Sequence, residues 1–390
     1  MTPMTVADPR TRPIRRHPTA RRARDLLVTV VAAVLLASCT VEPDRGTGTA
    51  APDATGSTMP DATGTAPPGT TGSVSGAVEI ISTGLAAPWS IAFLDDTPLV
   101  SERDSGRVLE LDGEGNGREI ATIAGVVARG EGGLLGIAVH DGYLYAYFTA
   151  SGENRVERFE LIGEPGSLSL GEAETILDGL PAAGVHNGGR IAFGPDGMLY
   201  VTAGDANDRA SAQSLDALSG KILRLTPSGD VPDDNPFAGS PVYSYGHRNP
   251  QGIAWDAEGT LYASEFGQNT WDELNIIEPG GNYGWPQVEG IAGQEGFIDP
   301  VQQWRPSDAS PSGIAIAADT LYIANLRGQR LRAVPLADPS TATELLVGEY
   351  GRLRDAVAAP DGSIWILTNN TDGRGRPAAD DDRILRLPVA

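Results

Sequence analysis

Short apolar runs led by a polar, charged or glycine residue recur along the chain: Ser90-Ile91-Ala92-Phe93, Gly136-Ile137-Ala138-Val139, Arg190-Ile191-Ala192-Phe193, Gly252-Ile253-Ala254-Trp255, Gly313-Ile314-Ala315-Ile316 and, more loosely, Asp355-Ala356-Val357-Ala358. Each is followed by an acidic or glycine turn, such as Pro195-Asp196-Gly197 or Pro360-Asp361-Gly362. A second apolar run then follows: Leu99-Val100, Leu144-Tyr145, Leu199-Tyr200-Val201, Leu261-Tyr262, Leu321-Tyr322-Ile323 and Ile364-Trp365-Ile366. Two such runs around a tight turn predict a β-hairpin. In most units a third run alternates apolar and polar residues, as in Arg107-Val108-Leu109-Glu110-Leu111 and Lys221-Ile222-Leu223-Arg224-Leu225, which is the period of a half-buried strand. Six copies of one unit, spaced widely enough for several strands each, predict six sheets set radially about an axis. The expected fold is all-β, a six-bladed β-propeller. A β-sandwich would not call for six copies of one hairpin, and an open solenoid is the alternative that repetition alone leaves.

Composition agrees with many short strands joined by turns: 49 Gly and 29 Pro stand against 4 Met and 7 Phe. The formal net charge of −22 argues against nucleic-acid binding, because such a surface repels phosphate backbones. The repeats begin only after residue 76. Residues 1–38 have the layout of a signal peptide, with Arg15, Arg16, Arg21, Arg22 and Arg24 preceding an apolar run from Leu26 to Ala37 that is short for a membrane span. Leu36-Ala37-Ser38-Cys39 resembles the bacterial lipoprotein cleavage box, which implies that Cys39 becomes the lipidated first residue. A plain secretory signal that happens to contain a cysteine is the alternative, and Arg21-Arg22 leaves the export route open. Residues 39–76 are rich in Thr, Gly, Pro, Ala, Asp and Ser and lack aromatics, so they read as a disordered tether. The expected organisation is a leader (1–38), a tether (39–76) and one propeller (77–390). The chain would be exported and held at a cell-surface or periplasmic membrane by its N-terminal lipid only.

The longest insertions fall in the third to fifth units and carry the unusual residues. Loops on one end of a propeller converge on its axis, so one site there can draw on several blades. His186 lies just before an inner strand, where a histidine read alone is more often structural than catalytic. Asp205 follows the next strand, where it could orient His186 and raise its basicity or simply close a turn. Tyr245-Gly246-His247-Arg248-Asn249-Pro250 and Ser264-Glu265-Phe266-Gly267-Gln268-Asn269 straddle the fourth hairpin, with Gly281-Asn282-Tyr283-Gly284-Trp285-Pro286 beyond them.

These segments closely resemble the soluble aldose sugar dehydrogenases that depend on pyrroloquinoline quinone (PQQ), the soluble glucose dehydrogenase family. The resemblance runs from about Gly84 to the C-terminus. It rests on Glu131-Gly132-Gly133-Leu134-Leu135-Gly136, the His186 segment, Gly204-Asp205 with Gln213, Gly246-His247-Arg248-Asn249 and Gly281-Asn282-Tyr283-Gly284-Trp285-Pro286. It implies PQQ- and calcium-dependent oxidation of an aldose at its anomeric carbon to the lactone, with electrons passed to an unidentified acceptor. In that reading His186 is the general base, Asp205 its partner, and Arg248 and Asn249 hold the quinone oxygens. Glu131, Arg327, Arg352 and Arg354 match further cofactor positions, and arginines suit the three carboxylates of PQQ. The carbonyls of Gly267 and Gln268 match calcium ligands, and Glu273 with the carbonyl of Tyr283 resembles part of a second calcium site. Gln213 and Trp304 look like sugar contacts.

Four departures bear on this implication. Glu131 stands where the glucose dehydrogenases have a glutamine, and a carboxylate beside an anionic cofactor repels it unless calcium or an arginine compensates. Arg327 replaces a usual lysine, Val185 an aspartate and Phe266 a glutamine, so glucose specificity does not carry over. Two other readings of the same loops stand beside the enzyme: a cell-surface propeller that binds a glycan or protein without redox chemistry, and a calcium-dependent lactone hydrolase, which would require a cluster of carboxylate ligands that the sequence does not show.

Overall fold

The computed structural model describes residues 76–389. The expected leader, Cys39 and the tether up to residue 75 lie outside the described residues. The described chain forms six four-stranded antiparallel sheets, the blades of a β-propeller. Their innermost strands are Pro88–Leu94, Leu134–His140, Ile191–Phe193, Pro250–Trp255, Pro311–Ala317 and Leu353–Ala358, numbered here as blades 1 to 6. Each packs against the innermost strand of the next blade, and the sixth returns to the first, so the ring closes.

Continuous apolar runs in the second strands follow from burial on both faces. In Leu321-Tyr322-Ile323, Leu321 and Ile323 pack into the core between blades 4 and 5, while Tyr322 points the other way into the core between blades 5 and 6. The same alternation in Leu199-Tyr200-Val201 feeds the junctions of blade 3 with blades 2 and 4. Successive strand residues face opposite sides of a sheet, so a blade with neighbours on both faces requires apolar residues at successive positions. A hydrophobic cluster accordingly fills each of the six blade junctions.

The outer, fourth strands are additional to the three-strand units read from the sequence. They include Gly117–Thr122, Val242–Tyr245 and Thr343–Leu345, which are short or largely exposed and carry little periodic signal. Blade 6 takes its fourth strand from the other end of the chain: Glu79–Ser82 pairs antiparallel with Ile384–Leu387. The propeller is thus closed by hydrogen bonds between its N- and C-terminal strands.

A buried polar layer crosses the axis. Arg190, before the inner strand of blade 3, donates from Nη1 to Asp355 Oδ2 of blade 6 at 3.0 Å and to Ser90 Oγ of blade 1 at 3.0 Å. Its Nε donates to the Gln251 carbonyl of blade 4 at 3.0 Å, and its guanidinium lies 4.4 Å over the Trp89 ring. A side chain at Gly313 of blade 5 would strike Asp355 Oδ1 at 1.9 Å, so that position has room only for hydrogen. Removing one partner of a buried ion pair leaves an uncompensated charge. Asp355→Ala is expected to lower the unfolding free energy by about 3–5 kcal/mol, measured by denaturant titration of the purified domain.

Candidate active site

Inner strands and second strands run antiparallel, so the starts of the former and the ends of the latter lie at the same end of each blade. His186 precedes the inner strand of blade 3 and Asp205 follows its second strand, Leu199–Ala203. Arg248 precedes the inner strand of blade 4, and Arg354 lies in the inner strand of blade 6. Residues far apart in the sequence, from His186 to Arg354, therefore share one end of the propeller.

His186 adopts a left-handed backbone with φ of 57°, a conformation that L residues other than glycine rarely hold. Its N–H donates to Glu131 Oε2 at 3.0 Å, and its carbonyl accepts from the Ala206 N–H at 3.1 Å. A Cβ at Gly204 would lie 2.1 Å from that carbonyl, so only glycine lets the two loops approach. The ring is held on both sides. Nδ1 meets Asp205 Oδ1 at 2.7 Å and Nε2 meets Arg248 Nη2 at 2.8 Å. A guanidinium can only donate, so Nε2 accepts and the proton sits on Nδ1, directed to Asp205. Asp205 is fully buried and also accepts from Trp285 Nε1 at 2.9 Å and the Asn207 N–H at 2.8 Å. Burial pushes its carboxyl up, but the His186 hydrogen bond and the other donors outweigh this and hold it below the usual value.

Arg248 is set by a second buried chain. Its backbone N–H and that of Asn249 both donate to Glu265 Oε1, the latter at 3.3 Å. The other Glu265 oxygen meets His247 Nδ1 at 2.8 Å, and His247 Nε2 meets Ser244 Oγ at 2.8 Å. Serine, histidine and glutamate in this order resemble a hydrolytic triad. All three are buried to 3% exposure or less, which closes them to substrate, and what they hold is the backbone that presents Arg248. The Arg248 guanidinium, pushed down by burial, donates from Nη1 to the carbonyls of Phe266 and Gly267.

Beside this constellation lies a cavity of about 280 Å³ lined by five arginines, Arg103, Arg327, Arg352, Arg354 and Arg374, together with the carboxylate Glu131. Arg352 meets Asp372 at 3.2 Å. Arg354 is 3% exposed and has neutral partners: Nη1 donates to Gln251 Oε1 at 2.8 Å and Nη2 to Asn369 Oδ1 at 3.4 Å. Its Nε has no acceptor, and burial together with the charge of Arg352 lowers its pKa to about 9. A buried cation without a carboxylate is costly unless a ligand supplies the negative charge, so the cavity fits a polyanionic group. Asn249 fits the same reading: its Oδ1 accepts from the Gly188 N–H at 3.0 Å while its Nδ2 has no partner.

Oxygen donors are available for a hard cation. The Gly267 carbonyl already faces a positive group, and Gln268 follows it in the same loop. Glu273 is buried, and its carboxyl is pushed well up by burial and by the nearby Glu265 charge, an environment that a cation would relieve. Glu265, Glu273, Tyr283 and Glu289 surround one small enclosed space. Among the described residues no group of three or more His, Cys, Asp and Glu side chains is arranged to hold a metal, so an ion here would depend on carbonyls.

The two expected sugar contacts, Gln213 and Trp304, lie outside the lining of the arginine cavity. Gln213 exchanges amide hydrogen bonds with Asn282, 2.9 Å in each direction, and donates to the Trp285 carbonyl at 2.7 Å. Its amide fastens a short 3₁₀ turn, Arg209–Gln213, to the Trp285 loop. Trp304 ends the outer strand of blade 4, packs into the core between blades 4 and 5, and carries the Arg332 guanidinium 4.7 Å over its ring. It does not line the arginine cavity. The same 3₁₀ turn rests on Lys221, whose fully buried ammonium donates to the carbonyls of Ser211, Ala212 and Ser219 at 2.7–3.0 Å.

Sequence reading passed over Arg103, Arg374 and the bonding role of Trp285. A positional signal did exist for Arg103: it stands just past the second strand of blade 1, where Asp205 and Arg327 stand in blades 3 and 5.

Comparison with known proteins follows the same lines. The family model described as Glucose / Sorbosone dehydrogenase matches residues 85–385. The PQQ-bound form of an aldose sugar dehydrogenase from Streptomyces coelicolor is 47% identical in sequence, with a TM-score of 0.78, and the match covers 82% of this chain and 100% of that one. An aldose sugar dehydrogenase of Escherichia coli K12 is 31% identical over 342 residues, 76% of this chain and 91% of its own. Quinoprotein glucose dehydrogenase B of Acinetobacter calcoaceticus is 32% identical over 285 residues, 62% of this chain and 59% of its own.

Burial pushes the Lys221 ammonium down to about 8 from the ordinary 10.5. Between these values the unfolded chain holds a proton that the folded chain has lost, so the unfolded state binds more protons and stability rises with pH. The rise should reach about 1.4 kcal/mol per pH unit within that window. Denaturant unfolding from pH 7 to 10.5 should show this rise in the native protein and its loss in Lys221→Met.

Proposed function

The chain belongs to the glucose/sorbosone dehydrogenase family, and from that premise we propose that it oxidises aldose sugars at the anomeric carbon to the lactone, with PQQ and calcium as cofactors and a separate electron acceptor. The observation that carries this reading is the Asp205–His186–Arg248 chain set beside a cavity whose Arg354 lacks a counter-charge. His186 Nε2 is the atom that would take the anomeric hydroxyl proton, with the sugar hydroxyl replacing Arg248 Nη2 as its partner, because Nδ1 is committed to Asp205 and cannot act as the base. Asp205 stabilises the imidazolium that results. Arg248 keeps a positive charge beside the point where negative charge develops as hydride leaves the sugar. Arg327, Arg352 and Arg354 would hold carboxylates, and Asn249 Nδ2 is a free donor. The carbonyls of Gly267 and Gln268 would hold a calcium ion near them, and Glu273 with the Tyr283 carbonyl a second. When bound, PQQ supplies the two-electron acceptor and calcium polarises it.

Purified protein supplied with PQQ and calcium should reduce an artificial dye when simple aldoses are added. In His186→Ala, kcat should fall by about 10²–10⁴ while PQQ affinity is retained. Absence of both PQQ binding and dye reduction across a panel of aldoses overturns the reading. A propeller that only binds glycans or proteins would keep its function in His186→Ala. Export and anchorage through Cys39 are part of the same proposal, supported by the Leu36-Ala37-Ser38-Cys39 box. Mass spectrometry of the native protein should find the mature N-terminus at Cys39, carrying lipid.

A further inference from the structure

Glu131 is the one carboxylate among the side chains that line the arginine cavity, and its two oxygens serve different halves of the site. Oε2 accepts the His186 N–H at 3.0 Å. Oε1 faces Arg374 Nη2 at 3.4 Å. A glutamine could make the first contact just as well, because an amide oxygen accepts an N–H as a carboxylate does. Only the second contact requires a charge. The presence of a glutamate here is therefore explained by Arg374.

Arg374 comes from the segment between the second and third strands of blade 6 and reaches across to a residue that precedes blade 2. Its backbone is fixed by Asp372, whose Oδ1 accepts the Arg374 N–H at 2.9 Å while Oδ2 holds Arg352 at 3.2 Å. The guanidinium lines the cavity yet stays 43% exposed, which places it at the mouth. A guanidinium has five donors, so one contact to Glu131 leaves others for an entering carboxylate.

We propose that Arg374 is a further cofactor-binding residue, which engages a PQQ carboxylate at the cavity mouth, and that its pairing with Glu131 cancels the one charge in the cavity that would repel an anionic ligand. This rests on the PQQ reading of the site. Glu131 and Arg374 then form a unit whose members are replaceable together but not singly.

The test is a PQQ titration followed by absorbance, with calcium present, on the native protein, Arg374→Gln, Glu131→Gln and the double variant. Arg374→Gln should weaken PQQ binding by about tenfold or more, through loss of a charged contact and exposure of Glu131. Glu131→Gln should bind as tightly as the native protein or more so. The double variant should recover a substantial part of the loss, and both the loss and the recovery should shrink as salt is raised. Unchanged thermal midpoints would exclude unfolding as the cause. If the native protein binds PQQ and Arg374→Gln binds it equally well, or if the double variant binds no tighter than Arg374→Gln, the pairing is overturned while the functional reading stands. Failure of the native protein to bind PQQ overturns both.

Discussion

The site depends on the ion pair between Arg190 and Asp355, which spans the propeller axis from blade 3 to blade 6. Two charges removed from water are costly unless the groups around them supply partners, and here Ser90 and the Gln251 carbonyl accept from the guanidinium while the Trp89 ring lies against its face. Four blades are pinned at one level by one guanidinium. That level is also a boundary. Trp89 and Arg354 line the arginine cavity, while Ser90 and Asp355, next to them in sequence, line an axial channel on the other side. The polar layer is thus the floor of the site.

Above that floor the electrostatics are inverted relative to the whole molecule. A chain of net charge −22 concentrates five arginines around one cavity and leaves one of them, Arg354, buried without a carboxylate. Such an arrangement costs stability in the empty protein and lowers the energy of an anionic ligand by the same interactions. The His186 constellation is preorganised in a comparable way: a left-handed backbone, a buried carboxylate and a guanidinium fix one tautomer before any substrate arrives.

The ring of hairpins was readable because burial on both faces of a blade forces consecutive apolar residues, a signal repeated six times. The outer strands were not, since a strand such as Thr343–Leu345 faces solvent and is specified mainly by pairing with its neighbour. Closure by Glu79–Ser82 was hidden for a related reason: its partner lies some three hundred residues away, and no local pattern announces it. In the site, His186 and Asp205 could be placed beside the strands of one blade, but their roles and those of Arg248, Arg352 and Arg354 were legible only through the family resemblance. Arg374 lies in an irregular loop where charge carries no positional information. Gln213 illustrates a different limit, because the same amide that suits a sugar hydroxyl also bonds Asn282, a contact between residues far apart in sequence that no local pattern announces.

Lys221 is the only lysine in the chain, and the propeller buries it completely beneath three carbonyls. Reducing sugars in their open-chain form are aldehydes, and aldehydes condense with unprotonated primary amines to give Schiff bases. A guanidinium stays charged and does not react in this way under ordinary conditions. The propeller therefore carries its exposed permanent positive side-chain charge on arginine, and presents no side-chain primary amine for an aldehyde to condense with.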